Sequence, residues 1–244
     1  MFHQGFRDSL LAQTGRAGNV LYAQTGDVNG DHVPDWVYLT GNYPYPGSQF
    51  VDKITLNIQD GRTMRTYAIP LKANAGYNPT LFLGDFTGDQ VKDIQISIAS
   101  GGSGGITYEY VYSFLNDQGR QLFDFERFNE AYRYDVNYLD YYQVEVISRN
   151  LNKSYRIDIR YKGAEYLSEI YDKNGKLKAP IRGDVNGIGG LYPVDFERDG
   201  IYELLAFQRI IGRYNADGLG YMMNALKWNG GAFVPFQQWV GIFG

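Results

Sequence analysis

The chain has 244 residues, of which 44% are apolar and 20% charged, and its formal net charge is −4. This length and balance are typical of one globular domain with a sizeable core. No run reaches the roughly 18 apolar residues of a membrane-spanning helix, and no basic segment followed by an apolar stretch opens the chain, so we expect neither a membrane span nor a signal peptide. Cysteine is absent, which excludes disulfides, thiolate metal sites and cysteine nucleophiles.

Histidine chemistry is not expected either, because the chain contains only two histidines. His3 lies near the start of the chain and His32 lies inside an acidic segment, an arrangement that disfavours Ser-His-Asp catalysis and histidine zinc sites. The basic residues are too dispersed to indicate a nucleic-acid partner. We therefore predict no catalytic residues, no enzyme activity and no nucleic-acid binding.

Short strands are predicted along nearly the whole chain, because β-branched and aromatic residues alternate with polar ones between Gly, Asn and Asp turns. Residues 123–134 carry apolar side chains at helical spacing and predict the one helix. Residues 1–17 are predicted to be an N-terminal tail, and residues 18–244 a single repeat domain. The predicted strands are 19–24, 36–40, 53–58, 93–98, 107–112, 143–147, 155–161, 203–209, 220–228 and 233–240.

Three nine-residue segments repeat one acidic pattern. They are residues 27–35 (DVNGDHVPD), 85–93 (DFTGDQVKD) and, more loosely, 195–203 (DFERDGIYE). They hold ten of the 27 acidic residues, and a bound cation would relieve the repulsion among so many carboxylates. Side-chain oxygens at positions 1, 3, 5 and 9, with a carbonyl at position 7, suit Ca²⁺ in a tight loop. The same side chains can instead cap the backbone amides of a turn.

The spacing of these segments predicts four repeat units. The first two segments begin 58 residues apart and the second and third 110 apart, which is about two such periods. A degenerate copy at residues 134–140 lies midway and precedes a predicted strand. We predict an all-β fold, a four-bladed β-propeller in which strand 19–24 completes the last unit and closes the ring. A β-sandwich with calcium loops is the alternative.

At these residues the chain resembles the FG-GAP and VCBS repeat families, which are integrin-α-like β-propeller repeats with calcium loops. The resemblance implies structural Ca²⁺ in the first two segments. The third departs from the pattern, because Glu197 and Glu203 replace shorter side chains and Arg198 replaces a glycine. The implied ligands are Asp27, Asn29, Asp31, Val33 and Asp35 in the first segment; Asp85, Thr87, Asp89, Val91 and Asp93 in the second; and Asp195, Glu197, Asp199, Ile201 and Glu203 in the third, with the residues at position 7 contributing carbonyls.

The same resemblance implies a function. We expect a calcium-stabilised, non-catalytic repeat scaffold that mediates protein interaction, in an extracellular, cell-surface or spore-associated location. Tyrosine is abundant, with 22 residues and clusters at 108–112 and 132–142. Exposed tyrosines would support a carbohydrate-binding module as the alternative, whereas half-buried tyrosines serve packing. A hydrolase built on the acidic residues is the third hypothesis.

Overall fold

The structure is a computed structural model that describes residues 19–242. The alternating sequence forms antiparallel strands in two sheets, with two short helices, so the predicted all-β class is confirmed. The predicted tail, residues 1–17, lies outside the described residues. No helix within residues 19–242 is long and apolar enough to cross a membrane.

The strands fall into four consecutive units. Unit 1 contains β1 (Asn19–Gly26), β2 (Asp35–Asn42), β3 (Phe50–Gln59) and β4 (Thr66–Pro70). Unit 2 contains β5 (Gly76–Gly84), β6 (Asp93–Ala99), β7 (Thr107–Ser113) and β8 (Arg120–Asp124). Unit 3 contains β9 (Tyr134–Leu139), β10 (Gln143–Ser148) and β11 (Lys153–Asp158), preceded by helix α1 (Phe125–Ala131) and followed by α2 (Ala164–Ile170). Unit 4 contains β12 (Arg182–Val194), β13 (Glu203–Ile211), β14 (Gly218–Trp228) and β15 (Phe233–Gly241).

Short ladders join the units in pairs. Units 1 and 2 form one sheet because the start of β5 pairs with β3, as at Tyr77 and Phe50. Units 3 and 4 form the other sheet because the start of β12 pairs with β9, as at Arg182 and Asn137. Each acidic segment connects the first two strands of its unit, whereas the degenerate copy at residues 134–140 forms strand β9 itself and only its last residue lies in the β9–β10 connection. The predicted grouping of strands around these segments is therefore what the structure contains.

The predicted closure by the N-terminal strand is wrong. β1 is the edge strand of its sheet and pairs with β2. Unit 4 has a first strand of its own, since β12 runs directly into the third acidic segment and pairs with β13, with Val194 opposite Glu203. The position that strand 19–24 was expected to fill is thus already occupied by β12.

The predicted helix at residues 123–134 is present but shorter, as α1. Its start is fixed by Asp124, whose carboxylate accepts hydrogen bonds from the amides of Glu126 and Arg127. Phe125 and Phe128 form its buried face. Helix α2 was not predicted from the sequence.

Two apolar clusters form the core, and unit 4 contributes to both. The first unites units 1 and 2 with residues of unit 4 such as Leu191 and Leu204. The second unites unit 3 with the opposite part of unit 4, including Ile210 and Met222. Fully burying one such aliphatic side chain contributes about 1.5–3 kcal/mol, so unit 4 is the element that holds the two sheets together.

Most tyrosines in the two clusters are packing residues. Tyr110, Tyr112, Tyr132 and Tyr138 are buried, and Tyr141 is the strongly exposed member. The buried hydroxyl of Tyr110 accepts a hydrogen bond of 2.8 Å from the amide of Ala73. The clusters therefore do not form the continuous aromatic platform that a sugar-binding face would need.

Candidate functional site

The carboxylates of the acidic segments hold their own loops in shape. The aspartate at position 1 of each segment accepts hydrogen bonds from backbone amides three to five residues later. The pairs are Asp27 with Gly30 (2.7 Å) and His32 (2.9 Å), Asp85 with Gly88 (2.6 Å) and Gln90 (2.8 Å), and Asp195 with Asp199 (3.1 Å) and Gly200 (3.0 Å). These contacts satisfy amides that would otherwise lack partners in a tight turn.

Positions 5 and 9 repeat this capping role. At position 5, Asp31, Asp89 and Asp199 accept from the amides of Val33, Val91 and Ile201 at 2.8–2.9 Å. At position 9, the buried carboxylates of Asp35, Asp93 and Glu203 accept from the amides of Val28, Phe86 and Phe196 at 2.9–3.0 Å. The third segment thus adopts the same geometry as the first two, although its sequence departs from them.

Position 3 does not behave uniformly. The Asn29 side chain accepts from the amide of Asp31 and donates to Asp117 of unit 2, both at 3.1 Å. Thr87 Oγ1 is buried and makes no hydrogen bond with other residues of the described chain. Glu197 is exposed. The three loops therefore do not place a side-chain oxygen in the same way at position 3.

The three loops stack in a row. The amide of Lys92 in the second loop donates to the carbonyl of Asp27 in the first at 3.2 Å, and the amide of Tyr202 in the third donates to Asp85 in the second at 2.7 Å. Lys92 and Tyr202 both occupy position 8, so the same contact is made twice. Unit 4 therefore follows unit 2 in this row through the same contact by which unit 2 follows unit 1, and unit 3 lies outside the row.

The stacking explains the glycine at position 4. A Cβ on Gly30 would lie 3.2 Å from Val91 of the next loop, and a Cβ on Gly88 would lie 3.2 Å from Ile201. Both glycines also have positive φ, at 87° and 78°. Arg198 has the same left-handed conformation, with φ of 59°, but it belongs to the last loop of the row.

The expected calcium-binding character is not supported by this geometry. Within residues 19–242, no group of three or more His, Cys, Asp or Glu side chains is placed to hold a metal ion. In the first loop a cation is already present, because the Arg62 guanidinium pairs with the Asp31 carboxylate at 2.9 Å and donates to its carbonyl at 2.6 Å. The physical reason is that the carboxylates turn towards backbone amides, which is the capping alternative that the sequence left open.

A different group of polar side chains lines a cleft of about 310 Å³ between units 2 and 4, which we call the Glu109 cleft. One wall is formed by β5, β6 and β7, and the other by β12. Its lining residues are Thr80, Leu81, Phe82, Gln95, Ser97, Thr107, Glu109, Gly189, Gly190, Leu191, Tyr192 and Pro193. Tyr192, which is 53% exposed, marks the solvent side.

Strand pairing brings the polar side chains of this cleft together. Ser97 of β6 lies directly opposite Glu109 of β7, and its hydroxyl donates to Glu109 Oε1 at 2.8 Å. Gln95 lies two residues before Ser97 on the same face, and its Nε2 donates to the carbonyl of Leu191 in β12 at 2.7 Å. This bond orients the amide, since its nitrogen faces a carbonyl and its oxygen must point the other way.

Three buried oxygens of the cleft make no hydrogen bond of normal length and angle with the described residues. They are Glu109 Oε2, Gln95 Oε1 and Thr107 Oγ1. Glu109 is fully buried, and this burial raises the pKa of its carboxyl from 4.5 to about 8. Hydrogen-bonding neighbours of the carboxyl, namely Thr107, Ser97, the amide of Leu191 and Gln95, favour its ionised form and partly oppose the shift. A buried carboxyl with a perturbed pKa in a cleft is a typical feature of a functional site.

Another buried polar cluster shows the contrast. In unit 4, Gln238 Nε2 donates to Asn224 Oδ1 at 2.6 Å, and Asn224 Nδ2 donates to the Tyr134 hydroxyl at 3.1 Å. That hydroxyl donates in turn to Gln208 Oε1 at 3.1 Å. These side chains satisfy one another, as a structural network does. The oxygens of the Glu109 cleft do not.

The sequence did not reveal this cleft. Gln95, Ser97, Thr107 and Glu109 occupy alternate positions of two predicted strands, where polar residues normally face water. The available signal was a lone glutamate between two tyrosines in an otherwise apolar strand. Recognising it requires knowing that β12, about 80 residues later, covers this face.

Comparison with known proteins identifies one family model and one full-length relative that match the chain. A family model described as the YybI C-terminal domain matches residues 132–241, which span units 3 and 4. A protein of Bacillus subtilis (strain 168), described as "Uncharacterized protein YybI", is 52% identical over 225 residues, covering 92% of this chain and 86% of the relative. The resemblance to FG-GAP and VCBS repeats is therefore wrong, and the extracellular or spore-associated location that rested on it loses its support.

Proposed function

Since the chain belongs to the YybI family, whose name carries no activity, we propose from its geometry that it is a non-catalytic scaffold that binds another protein at the Glu109 cleft. The observation that carries this proposal is the exposed Tyr192 ring, which lies beside the apolar side chains that line the cleft.

The surroundings of the cleft support a binding role. Leu81, Phe82 and Leu191 give it apolar walls, and the exposed Tyr192 stands beside them. Apolar walls with a few convergent polar groups are typical of recognition sites. Tyr192 is held in place by edge-to-face packing on Phe207, at 5.2 Å between ring centroids, so its ring is available to a partner without first being ordered.

The carboxylate content of the cleft supports a non-catalytic role. Of the described residues that line it, Glu109 is the sole carboxylate. Glycoside hydrolysis normally uses a pair of carboxylates, one on each side of the bond that breaks. Apart from Glu197, the acidic residues of the three loops are engaged in capping, which argues against the hydrolase hypothesis as well.

Site-specific cross-linking tests the proposed function. A photoreactive phenylalanine analogue would replace Tyr192 in one variant and Tyr45, which is 63% exposed and belongs to unit 1, in a matched control. After irradiation in a lysate of the native cells, we expect a discrete protein adduct at position 192 that is missing at position 45. Identical adduct patterns at the two positions, or none at either, would contradict a protein-binding face at the cleft.

A carbohydrate-binding module is the second candidate. It is favoured by one observation, the exposed Tyr192 ring at a cleft lined by both polar and apolar residues. A glycan array tests it, because a sugar binder should retain at least one glycan and lose it in Tyr192→Ser.

The finer architecture also stays a proposal. A four-bladed propeller and a β-sandwich are both compatible with four antiparallel units in two sheets. The direct stacking of the unit 4 loop on the unit 2 loop favours a packed arrangement over a ring that follows chain order. A crystal structure of the full chain would distinguish them by the relative orientation of the units.

A further inference from the structure

We propose that two copies of the chain associate as a symmetric dimer through the third acidic loop, at the end of the loop row. We call this surface the open end and define it as Phe196, Glu197, Arg198 and Phe236. The inference goes beyond the proposed function and does not depend on it, because it concerns the side of the third loop that faces away from the second loop.

The residue at position 2 shows that the third loop lacks a cover that the other loops have. Val28 and Phe86 occupy position 2 in the first two loops, and both are fully buried. Two rings of unit 4 lie over Phe86, those of Tyr202 and Phe233, at 6.0 and 6.3 Å between ring centroids. Phe196 occupies the same position in the third loop and is 39% exposed. The following unit therefore buries position 2 in the first two loops, whereas no unit of the described chain follows the third loop in the row.

The backbone of the third loop is open on the same side. The carbonyls of Asp27 and Asp85 each accept a hydrogen bond from the position 8 amide of the following loop. Within residues 19–242, no backbone amide donates to the equivalent carbonyl of Asp195. Beside it, Phe196 packs edge to face on Phe236, at 5.6 Å between ring centroids, and Phe236 is itself 36% exposed. The row thus ends in a carbonyl acceptor and an apolar patch of two adjacent rings.

The start of the row of another copy cannot continue this row. Position 8 of the first loop is Pro34, which has no backbone amide to donate to an Asp195 carbonyl. Head-to-tail stacking of copies would therefore lack the hydrogen bond that joins the loops within one chain. Such stacking would also generate an open filament, whereas the contact of two open ends closes as a dimer.

The charges of the open end are self-complementary. Glu197 and Arg198 are adjacent and exposed, and neither forms an ion pair with another residue of the described chain. In a two-fold contact, Arg198 of each copy can pair with Glu197 of the other, which gives two equivalent ion pairs. A guanidinium has five N–H donors, so Arg198 can also donate to the Asp195 carbonyl of the other copy.

This pairing accounts for the unusual sequence of the third loop. Positions 3 and 4 hold small, uncharged residues in the first two loops, where the following loop comes within 3.2 Å of a Cβ placed on Gly30 or Gly88. The third loop holds Glu197 and Arg198 instead. A solvated end of the row would suit these charges but not the exposed Phe196 beside them. An apolar centre with a charged rim is the usual composition of a protein interface.

We expect the dimer to be weak, because the four side chains of the open end form a small contact. Its Kd should be about 10–100 µM, as in transient interfaces of limited area. At the low micromolar concentrations of a denaturation experiment, the chain should therefore be monomeric.

Sedimentation equilibrium of the full chain tests the proposal, at concentrations from about 2 µM to about 500 µM. The weight-average mass should rise from 27.7 kDa towards twice that value and should stop there. A mass that stays at 27.7 kDa over the whole range, or one that grows beyond the dimer, would overturn the proposal.

Charge reversal locates the contact. Arg198→Glu places two acidic residues at the open end and Glu197→Arg places two basic ones, so each variant alone should dimerise at least about tenfold more weakly than the parent. An equimolar mixture of the two variants should associate again, because every ion pair of the mixed dimer then joins opposite charges. The exposed Arg156→Glu in unit 3 is the matched control and should dimerise like the parent. Full dimerisation of either reversed variant alone, or no recovery in the mixture, would overturn the inference.

A third variant tests the apolar part of the contact. Phe196→Ser should weaken dimerisation at least about tenfold, because it removes the ring at the centre of the open end. Unchanged dimerisation would contradict the burial of Phe196 between the copies and overturn the inference. Thermal melting at low concentration checks that each variant is folded. If Phe196→Ser is not folded, the mixing experiment decides, because the side chains of Glu197 and Arg198 are exposed and their replacement leaves the core intact.

Discussion

Gln95 and Leu191 are linked by a buried hydrogen bond of 2.7 Å that crosses from unit 2 to unit 4. Because both residues line the Glu109 cleft, the docking of unit 4 and the burial of Glu109 are parts of one event. Separating the two units would return the Glu109 carboxyl to water. Its ionisation is therefore coupled to the stability of the fold.

The stability of the chain should fall as the pH rises from about 4.5 to about 8. Glu109 has a folded pKa of about 8 against an ordinary 4.5, so in this window the unfolded chain has released a proton that the folded chain retains. The free energy of unfolding then falls by at most about 1.4 kcal/mol for each pH unit, and it stops falling above the folded pKa. Urea denaturation of the parent and of Glu109→Gln from pH 5 to pH 9 measures this effect. The free energy of unfolding of the variant should rise relative to that of the parent as the pH rises.

The exposed Glu197→Gln serves as the control and should follow the parent at every pH. If the difference between Glu109→Gln and the parent did not change with pH, Glu109 would not be the buried acid that the geometry indicates.

The ion pair between Lys162 and Asp217 should be essential for attaching unit 3 to unit 4. Lys162 Nζ lies 2.7 Å from Asp217 Oδ1, and the Asp217 side chain is almost completely buried. Burial by itself would raise the pKa of Asp217, but Lys162 and the Tyr166 hydroxyl outweigh it and hold the pKa below its ordinary value. Lys162→Met leaves the carboxylate without its partner and should cost about 3–5 kcal/mol of unfolding free energy.

A matched surface pair separates this effect from the loss of any lysine. Lys176 and Asp140 are paired at 2.8 Å, with both side chains about half exposed. Lys176→Met should therefore cost less than about 1 kcal/mol by chemical denaturation. Similar losses in both variants would refute the special role of the buried pair.

Capping carboxylates should matter in proportion to their burial. Asp35 accepts from the amides of Val28 (2.9 Å) and Gly61 (3.0 Å), so Asp35→Ala leaves two amides without an acceptor and should cost roughly 2 kcal/mol or more. Asp89 is exposed and accepts from the amide of Val91, so Asp89→Ala should cost under about 1 kcal/mol. Urea midpoints compare the two, and a larger loss at Asp89 would contradict the capping account.

Calcium should leave the melting temperature unchanged. The loop carboxylates already accept backbone hydrogen bonds, and Arg62 supplies a positive charge at Asp31. Scanning calorimetry with millimolar Ca²⁺ and with chelator should give coincident transitions, because a ligand stabilises a fold only if it binds the native state. A rise of several degrees with Ca²⁺, lost in Asp85→Ala, would restore the metal site predicted from the sequence.

Local patterns predicted the local structure well. The acidic segments, their spacing and the alternation of the strands led to four antiparallel units and to α1, because these signals depend on neighbouring residues. The role of the carboxylates was predicted less well. A loop that caps its own amides and a loop that holds a cation use the same residue types at the same spacing.

Contacts between distant units could not be predicted from such patterns. Glu109 becomes buried only because β12 covers the polar face of β6 and β7, and β1 stays an edge strand only because unit 4 supplies its own first strand. Neither contact between units produces a periodic pattern of apolar and polar residues that could be recognised in the sequence. The candidate site therefore emerged from packing, whereas the sequence had directed attention to the loops.

The stacking of the Tyr202 amide on the Asp85 carbonyl has a consequence for the order of folding. These residues are 117 positions apart, and the whole of unit 3 lies between them in the chain. Bringing the ends of so long a segment together costs conformational entropy before the two loops can form their hydrogen bond. We therefore expect unit 4 to dock on unit 2 late and slowly during folding. In topological terms unit 3 is an insertion into an otherwise continuous stack. A chain that passed directly from unit 2 to unit 4 would form the same row of loops by short-range, rapid zippering.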